Sequence, residues 1–414
     1  LFTLVFNATQ AQHIQDVSTY LTGADFSGSI PVNTENSTKK AATSSQELEQ
    51  YQNIPGVLNT SIGFSTHANG GNTNLPLEVR AIDTATFANA VIWSSQTEYR
   101  SANALLVRLQ EARFQVITTK IVPVIVDTNV IDSLQLHVGS SLVVKEDAQT
   151  VHDIHCVIVG VVQHIPTVND RVATDSTSGN RLLVTGGVLL DYVSYATVYA
   201  LQAKGSSTGQ TASKPNLVWI HSKDDAASLT SVRSALNYPS ALALDKLSDR
   251  RALLSSLNND PLYVNIGGVL ALGTITALLL AFLGDLLASW LSARTRLTTF
   301  AVLRALGTTP QQVTGLLTWE QAIVYITGLV LGIVFGITFA LTAIPSLTFT
   351  DLSKTTSSSA FYNLQTSLPT QVVLPSTLPL ALLILVLIFV AALVVMVRVL
   401  SRPLLAQSLR LNED

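Results

Sequence analysis

Few residues in this chain are spaced for bond-making chemistry. His152, His155 and Cys156 stand in the string HDIHC, and all three are zinc-ligand types. On a strand, however, His155 projects opposite to His152 and Cys156, so no metal is expected there. Ser, His and Asp residues are scattered elsewhere without a GxSxG elbow, and no catalytic residue is assigned. No G-x-x-x-x-G-K-[ST] string occurs, which excludes a P-loop nucleotide site, and no cofactor is expected. What remains is chemistry suited to docking. From Arg294 onward the string RTRLTTFAVLRALGTTPQQV is basic and amphipathic, with Phe300, Leu303 and Leu306 at helical spacing and Arg304 projecting elsewhere.

Local signals divide that string. Gly307 stands where a helix ends in a left-handed residue, Thr309 with Gln312 reads as a capping box, and Pro310 suits a first helical position. The spacing therefore predicts a short helix, a sharp turn and a second helix. The first piece is too short to hold in water alone and needs a surface for its apolar stripe. A protein groove and the lipid interface both meet that need, and these residues do not choose between them.

The elements around this connection are apolar. The chain has 414 residues, 48% hydrophobic and 12% charged, against roughly 25% charged in soluble domains. Residues 1–258 read as a soluble mixture and most of 262–400 is apolar, so two domains are expected, 1–258 and 259–414. Three segments have the roughly 20 residues that a bilayer core requires: Tyr263 to Leu291, Thr318 to Ile344 and Leu378 to Leu400. The first is long enough to project beyond the lipid at the end holding Asp285 and Trp290. Asp285 reads as an interfacial carboxylate near Arg294.

Positive charges orient these spans. Arg294, Arg296 and Arg304 follow the first, Arg398, Arg402 and Arg410 follow the third, and only Lys354 lies between the second and third. The positive-inside rule makes the first connection and the C-terminus cytoplasmic, the loop Pro345 to Thr377 external and residues 1–258 extracytoplasmic. The chain opens on LFTLVF without an initiator, and Leu1 to Phe6 reads as the outer end of a fourth span cut away upstream. The expected fold is thus a membrane α-helical bundle, three spans seen, plus an extracytoplasmic mixed α/β domain. Gly328, Gly332 and Gly336 share a face of the second span, a doubled GxxxG that admits a neighbouring helix from the protomer or from a dimer partner. The net charge of −3 and the absence of a basic groove exclude a nucleic-acid partner, and the single Cys156 excludes an internal disulfide.

Within residues 7–258, strands are expected at Val122 to Val126, Leu142 to Lys145, Cys156 to Gln163, Leu182 to Val184 and Leu217 to His221. Helices are expected at Ala102 to Ala112, with Leu105, Leu106 and Leu109 as a stripe, and at Ala226 to Leu236, opened by Asp224 and Asp225. Ser/Thr-rich stretches at Asn36 to Ser45, Thr174 to Gly179 and Gly205 to Ser213 read as exposed loops.

The string FAVLRALGTTPQQVTGLLTWE closely resembles the motif of FtsX-like permeases, the MacB type of ABC-transporter membrane subunit. The likeness continues through GLVLGIVFG and RPLLAQSLRLNED, and GAD at Gly23, PGV at Pro55, AID at Ala81 and VGVV at Val159 add weak echoes upstream. The resemblance implies that Phe300, Leu303, Arg304, Ala305, Leu306 and Gly307 form a coupling helix seated on a cytoplasmic ABC ATPase subunit. Thr298 and Thr299 stand where the family carries charges, leaving the apolar anchors as the docking chemistry. Arg296 and Glu320, like Asp285 and Arg294, read as interfacial residues. The family further implies a non-enzymatic permease that transmits ATPase motion to the outer domain, surrounded by membrane lipid and paired as a homodimer or with a second permease unit. Lipoprotein, peptide or antibiotic-like molecules are its substrate range. A signalling unit controlling a cell-wall hydrolase or sensing a peptide, and an anchored binding module without an ATPase, are the alternatives.

Overall fold

The computed structural model describes residues 2–31, 44–71, 73–94, 99–146, 153–168, 172–175, 181–203, 214–295, 307, 309–347, 368, 370–391 and 394. Two compact units form: Ile14–Asn258 with Thr350–Pro369, and Leu1–His13 with Asn259–Phe349 and Thr370–Asp414.

The first unit is mixed α/β. After helix α1 (Phe2–Thr22), which begins in the other unit, come β1 (Phe26–Ser29), α2 (Ser44–Gln52), β2 (Val57–Gly70), β3 (Leu75–Ile82), α3 (Thr84–Ala90), α4 (Tyr99–Glu111) and α5 (Arg113–Thr119). Then follow β4 (Val122–Asp127), α6 (Thr128–Leu134), β5 (Ser141–Glu146), β6 (Asp153–Val162), β7 (Val172–Asp175), β8 (Arg181–Val184), β9 (Gly186–Asp191) and α7 (Tyr192–Ala203). The unit ends with β10 (Leu217–Ser222), α8 (Ala226–Leu236), β11 (Asp245–Asp249) and α9 (Arg250–Asn258).

Among the described residues, nine strands form one sheet in the order β11-β1-β10-β2-β3-β9-β4-β6-β5, and β7 pairs with β8 apart from it. Strand β2 has 14 residues, enough to serve three neighbours. Its first half pairs with β10, its second half with β3, and Ala68–Gly70 also reach β5. That last pairing closes β2, β3, β9, β4, β6 and β5 into a ring. Most pairs are antiparallel, but β3–β9 and β4–β6 are parallel, each reached through intervening helix.

The core explains which strands read as continuous apolar runs. Val122, Val124 and Val126 of β4 pack with Cys156, Ile158 and Leu190, while Ile125 packs on the opposite side with Phe87, Leu189 and Trp219. Both faces of β4 are covered, so its sequence does not alternate. The Leu105, Leu106 and Leu109 stripe of α4 is buried as expected. All five expected strands and both expected helices are present within a few residues of their expected limits. The loop expectation differs in its described parts: Ser44 opens α2 and Thr174 lies in β7, while the rest of those Ser/Thr-rich stretches falls mainly outside the described residues.

Aspartates punctuate these elements. Asp83, Asp127 and Asp225 occupy N-cap positions and accept amide hydrogens from Ala85, Val130 and Ser228. Asp191 accepts the Ser194 amide at the start of α7, and Asp249 accepts those of Arg251 and Ala252 at the start of α9. At Asp127, Asp191 and Asp249 a strand ends and a helix begins on the same residue.

The second unit is helical. Helix α10 (Pro261–Thr295) has 35 residues and α11 (Pro310–Leu347) has 38. Tyr263–Gly284 and Thr318–Ile344 are long and apolar enough to cross a membrane, and Leu378–Ala391 is a shorter apolar helix. The remainder of the third expected span lies almost wholly outside the described residues. Large apolar side chains such as Leu272, Leu280, Ile326 and Phe335 are exposed. Helices apolar all round and outward-facing match a lipid solvent. Within this unit, Val5 and Phe6 of α1 bury against Ala340 and Ile344, and the Phe2 and Phe339 rings lie 4.8 Å apart.

Asp127 gives a test of the punctuation. Its buried carboxylate accepts the Val130 amide at 2.9 Å and the Gly187 amide at 2.6 Å, joining α6 to β9. Asp127→Ala removes the cap and orphans a buried N–H, for an expected loss of about 2–4 kcal/mol. Asp127→Asn, which keeps one acceptor, should lose less. Urea midpoints from tryptophan fluorescence of the full chain in detergent measure both.

Candidate functional site

Between the two long helices the structure describes Gly307 and Thr309, and at these two residues the local geometry agrees with the turn and cap signals. Gly307 has φ +90° and is exposed, a conformation that glycine adopts without Cβ strain. The Thr309 amide donates to Gln312 Oε1 at 3.0 Å, the Gln312 amide donates to the Thr309 carbonyl at 3.0 Å, and Pro310 opens α11. The capping box therefore defines where α11 starts. Arg296, Phe300, Leu303, Arg304, Ala305 and Leu306 lie outside the described residues. Asp285 and Arg294 fall in α10, and Glu320, half-buried, falls in α11 beside exposed Trp319.

Gly328, Gly332 and Gly336 all lie in α11. A Cβ built on Gly328 or Gly332 would meet no described atom within 4 Å. Both glycines border an apolar cavity of about 550 Å³, with Tyr325, Leu382 and Phe389 among its walls. The Tyr325 and Phe389 rings, 5.2 Å apart, provide an aromatic contact from α11 to the Leu378–Ala391 helix.

In the α/β unit the densest polar site surrounds Asp25, the first residues after α1. Gly23, at φ +66°, sends its amide to the Thr19 carbonyl at 2.7 Å and turns the chain out of α1. Asp25 is then fully buried. Its Oδ1 accepts Arg250 Nη2 at 2.9 Å and faces Arg251 Nη1 at 3.2 Å. Its Oδ2 accepts the Ser222 amide at 3.0 Å and lies 2.8 Å from His221 Nδ1. Burial alone would raise this carboxyl, but the Ser222 amide, the Arg250 hydrogen bond and the charges of Arg251 and Arg250 outweigh it and hold it below the usual carboxylate range. The backbone reinforces the link: the Arg250 amide donates to the Asp25 carbonyl at 3.0 Å, and β1 pairs with β11. Arg251 also binds Asp224, and Arg233 Nε donates to Asp249 Oδ2 at 2.6 Å.

Two further ion clusters brace the same unit. On one face of β3, Arg80 Nη2 lies 2.6 Å from Glu78 Oε1 and donates to the Thr167 carbonyl at 2.5 Å. Arg113 holds Asp191 through Nε at 2.9 Å and Nη2 at 2.6 Å, and donates to Thr84 Oγ1 at 2.8 Å. None of these three clusters was anticipated from sequence. GAD, AID and the Arg250–Arg251 pair just before an apolar run were the available signals. The HDIHC string behaves as strand geometry requires: His155 is exposed, Cys156 is fully buried with its thiol pushed up to about 12 by burial, and His152 lies outside the described residues.

Comparisons with known proteins bear on the helical unit. Residues 271–404 match the model of the FtsX-like permease C-terminal family. No curated protein matches the sequence. Among solved structures, the periplasmic region of MacB from Actinobacillus actinomycetemcomitans is similar at 10% identity, with 57% of this chain and 94% of that chain covered and a TM-score of 0.30. The extracellular domain of the noncanonic ABC-type transporter YknZ from Gram-positive bacteria is similar at 9% identity, covering 50% and 87%, with a TM-score of 0.25. The likeness to FtsX-like permeases thus lies in the C-terminal part of the chain.

Removing the central charge tests the Asp25 site. Asp25→Asn leaves Arg250 and Arg251 without their buried counter-charge and should cost about 3 kcal/mol at neutral pH. Because the folded carboxyl is held below its unfolded value, its stabilisation is complete above the unfolded pKa and disappears as pH falls through the folded one. The gap between wild type and variant should therefore be widest near pH 7 and shrink below about pH 4. Urea midpoints across pH read it, and a constant gap would contradict this account.

Proposed function

We propose that this chain is the membrane permease subunit of an ABC transporter that relays ATPase motion to an extracytoplasmic domain. The observation that carries the reading is the junction of site and span. Helix α9, whose first two residues hold Asp25, ends two residues before α10, so a displacement of α10 along its length acts on a charged and hydrogen-bonded anchor. At 1.5 Å per residue α10 is roughly 52 Å long, well beyond the roughly 30 Å of a bilayer core. The FtsX-like match over 271–404 and two membrane-length helices support a membrane location.

In this reading residues 1–258 form the extracytoplasmic domain and 259–414 the permease domain, with the C-terminus in the cytoplasm. Phe300, Leu303 and Leu306 of the segment ending at Gly307 insert into a groove of a separate ATPase, which performs the hydrolysis. Asp285, Arg294, Arg296 and Glu320 lie at the membrane interface. Gly328, Gly332 and Gly336 offer a face to a helix from a second permease unit or a second copy. A lipoprotein, a peptide or an antibiotic-like molecule is exported or extracted without threading the lipid core.

The coupling segment provides the test. Phe300→Asp and Leu303→Asp each place a carboxylate where an apolar anchor is required, and co-purification with the ABC ATPase should fall on the order of tenfold or more. Association equal to wild type would overturn the assignment. An ATPase-active complex whose release of candidate substrates is independent of ATP would instead favour a signalling unit acting on a cell-wall hydrolase.

A further inference from the structure

We propose that a cleft of the α/β unit, walled by α2 and α7, binds a small organic cation: an apolar body whose protonated amine pairs with Asp83. The cleft follows from the sequence of α7, YVSYATVYALQA, which is apolar on two sides. Tyr195, Val198 and Tyr199 pack into the core. Val193, Ala196, Thr197 and Ala200, spaced i, i+3, i+4 and i+7, share the other face. Ala196, Thr197 and Ala200 are too short to fill the space beside Leu48 of α2 and Ile62 of β2. The result is a cavity of about 600 Å³. Small-molecule sites occupy roughly 300–1,000 Å³ and are likewise mostly apolar with a few polar groups, whereas a folded partner needs far more room.

Charge selects the ligand. Asp83 is the charged residue among the described walls, and its carboxylate is only partly matched. Its Oδ2 accepts the Thr86 hydroxyl at 3.0 Å and its Oδ1 the Ala85 amide at 3.2 Å, while Arg113 Nη2 stands 3.5 Å from Oδ1. A carboxylate offers about four lone-pair sites, so acceptor capacity remains for a ligand donor. Arg113 is committed elsewhere, because its Nε and Nη2 hold Asp191 at 2.9 and 2.6 Å. One guanidinium thus serves two carboxylates. The unbalanced negative charge lies on Asp83, whose side chain is 31% exposed where that of Asp191 is 0%.

A second acid stands close by. Burial raises the Glu47 carboxyl of α2 against the pull of Lys214, and the Glu47 charge adds to burial in raising the hydroxyl of Tyr192, another wall residue. An anion entering the cleft would be repelled by these carboxylates. A neutral body would strip water from Asp83 and replace it with nothing. An ammonium group restores the lost hydrogen bond and balances the charge, while its apolar body covers the exposed Val193.

Dansylcadaverine supplies both parts of such a ligand in one probe, and its fluorescence rises and shifts to the blue in apolar surroundings. It is titrated into the full chain in lipid nanodiscs, with empty nanodiscs as the blank. The amine should bind about tenfold tighter than its N-acetylated, neutral form, and dansylglycine, an anion, weaker still. Asp83→Asn retains a capping side chain and should erase that preference by weakening the amine alone. Ala196→Trp fills the cavity and should abolish saturable binding of both the amine and its acetylated form, with far-UV circular dichroism confirming that each variant folds. An amine no tighter than its acetylated form, a preference that survives Asp83→Asn, or saturable binding that survives Ala196→Trp overturns the proposal. None of these readouts passes through ATP or the coupling segment, so this site and the permease reading can fail separately.

Discussion

A buried carboxylate has to be matched atom for atom, and at Asp25 that requirement organises the α/β unit. The groups that match it come from β10 and from the start of α9, at sequence separations near two hundred residues. Asp25 lies immediately after α1, and Arg250 and Arg251 open the helix that precedes α10. The strand that follows α1 and the strand that precedes α9, β1 and β11, are therefore neighbours, held by ladder hydrogen bonds and by charge. With one partner missing, an uncompensated ion would be left inside, so the strands cannot slide past one another without large cost.

The same economy of carboxylates recurs along the chain. Asp83, Asp127, Asp191, Asp225 and Asp249 each begin a helix, and four of them also hold something distant. Asp127 binds the Gly187 amide, Asp83 and Asp191 both pair with Arg113, and Asp249 binds Arg233. Capping fixes each helix to the end of its strand, and the second contact fixes that strand–helix corner to another part of the sheet. Local and long-range preferences agree at these residues, which is how a single arrangement is specified.

Legibility followed the range of the interactions. Features decided within a few residues were readable: the Leu105, Leu106 and Leu109 stripe, the helix opening after Asp225, the Thr309–Gln312 cap and the two long apolar runs. Strand β2 was missed because VLNTSIGFSTHANG is rich in Asn, Thr, Ser and Gly, and its burial comes from lying between β10, β3 and β5 rather than from apolar alternation. Helix α1 was read only at its first residues. Farther on it buries Thr9, His13 and Asp16, so no apolar stripe marks it. The ion clusters were hidden for a related reason: Asp25 and Arg250 are 225 residues apart, and no local pattern registers such a pair.

Stability alone does not account for a site like that of Asp25. A well-packed apolar cluster of similar volume is often as stable as a buried ion group or more so, because no desolvation has to be recovered. What an ion group adds is discrimination, since a carboxylate with two arginines and an amide has one satisfactory arrangement while leucines have many. Position gives that discrimination its use. Within the α/β unit, β1 and the start of α9 are joined by side-chain charge and by backbone, and the residues leading into α10 are held to one strand register. A tie that resists sliding therefore fixes the end of the α/β unit from which the chain continues into α10.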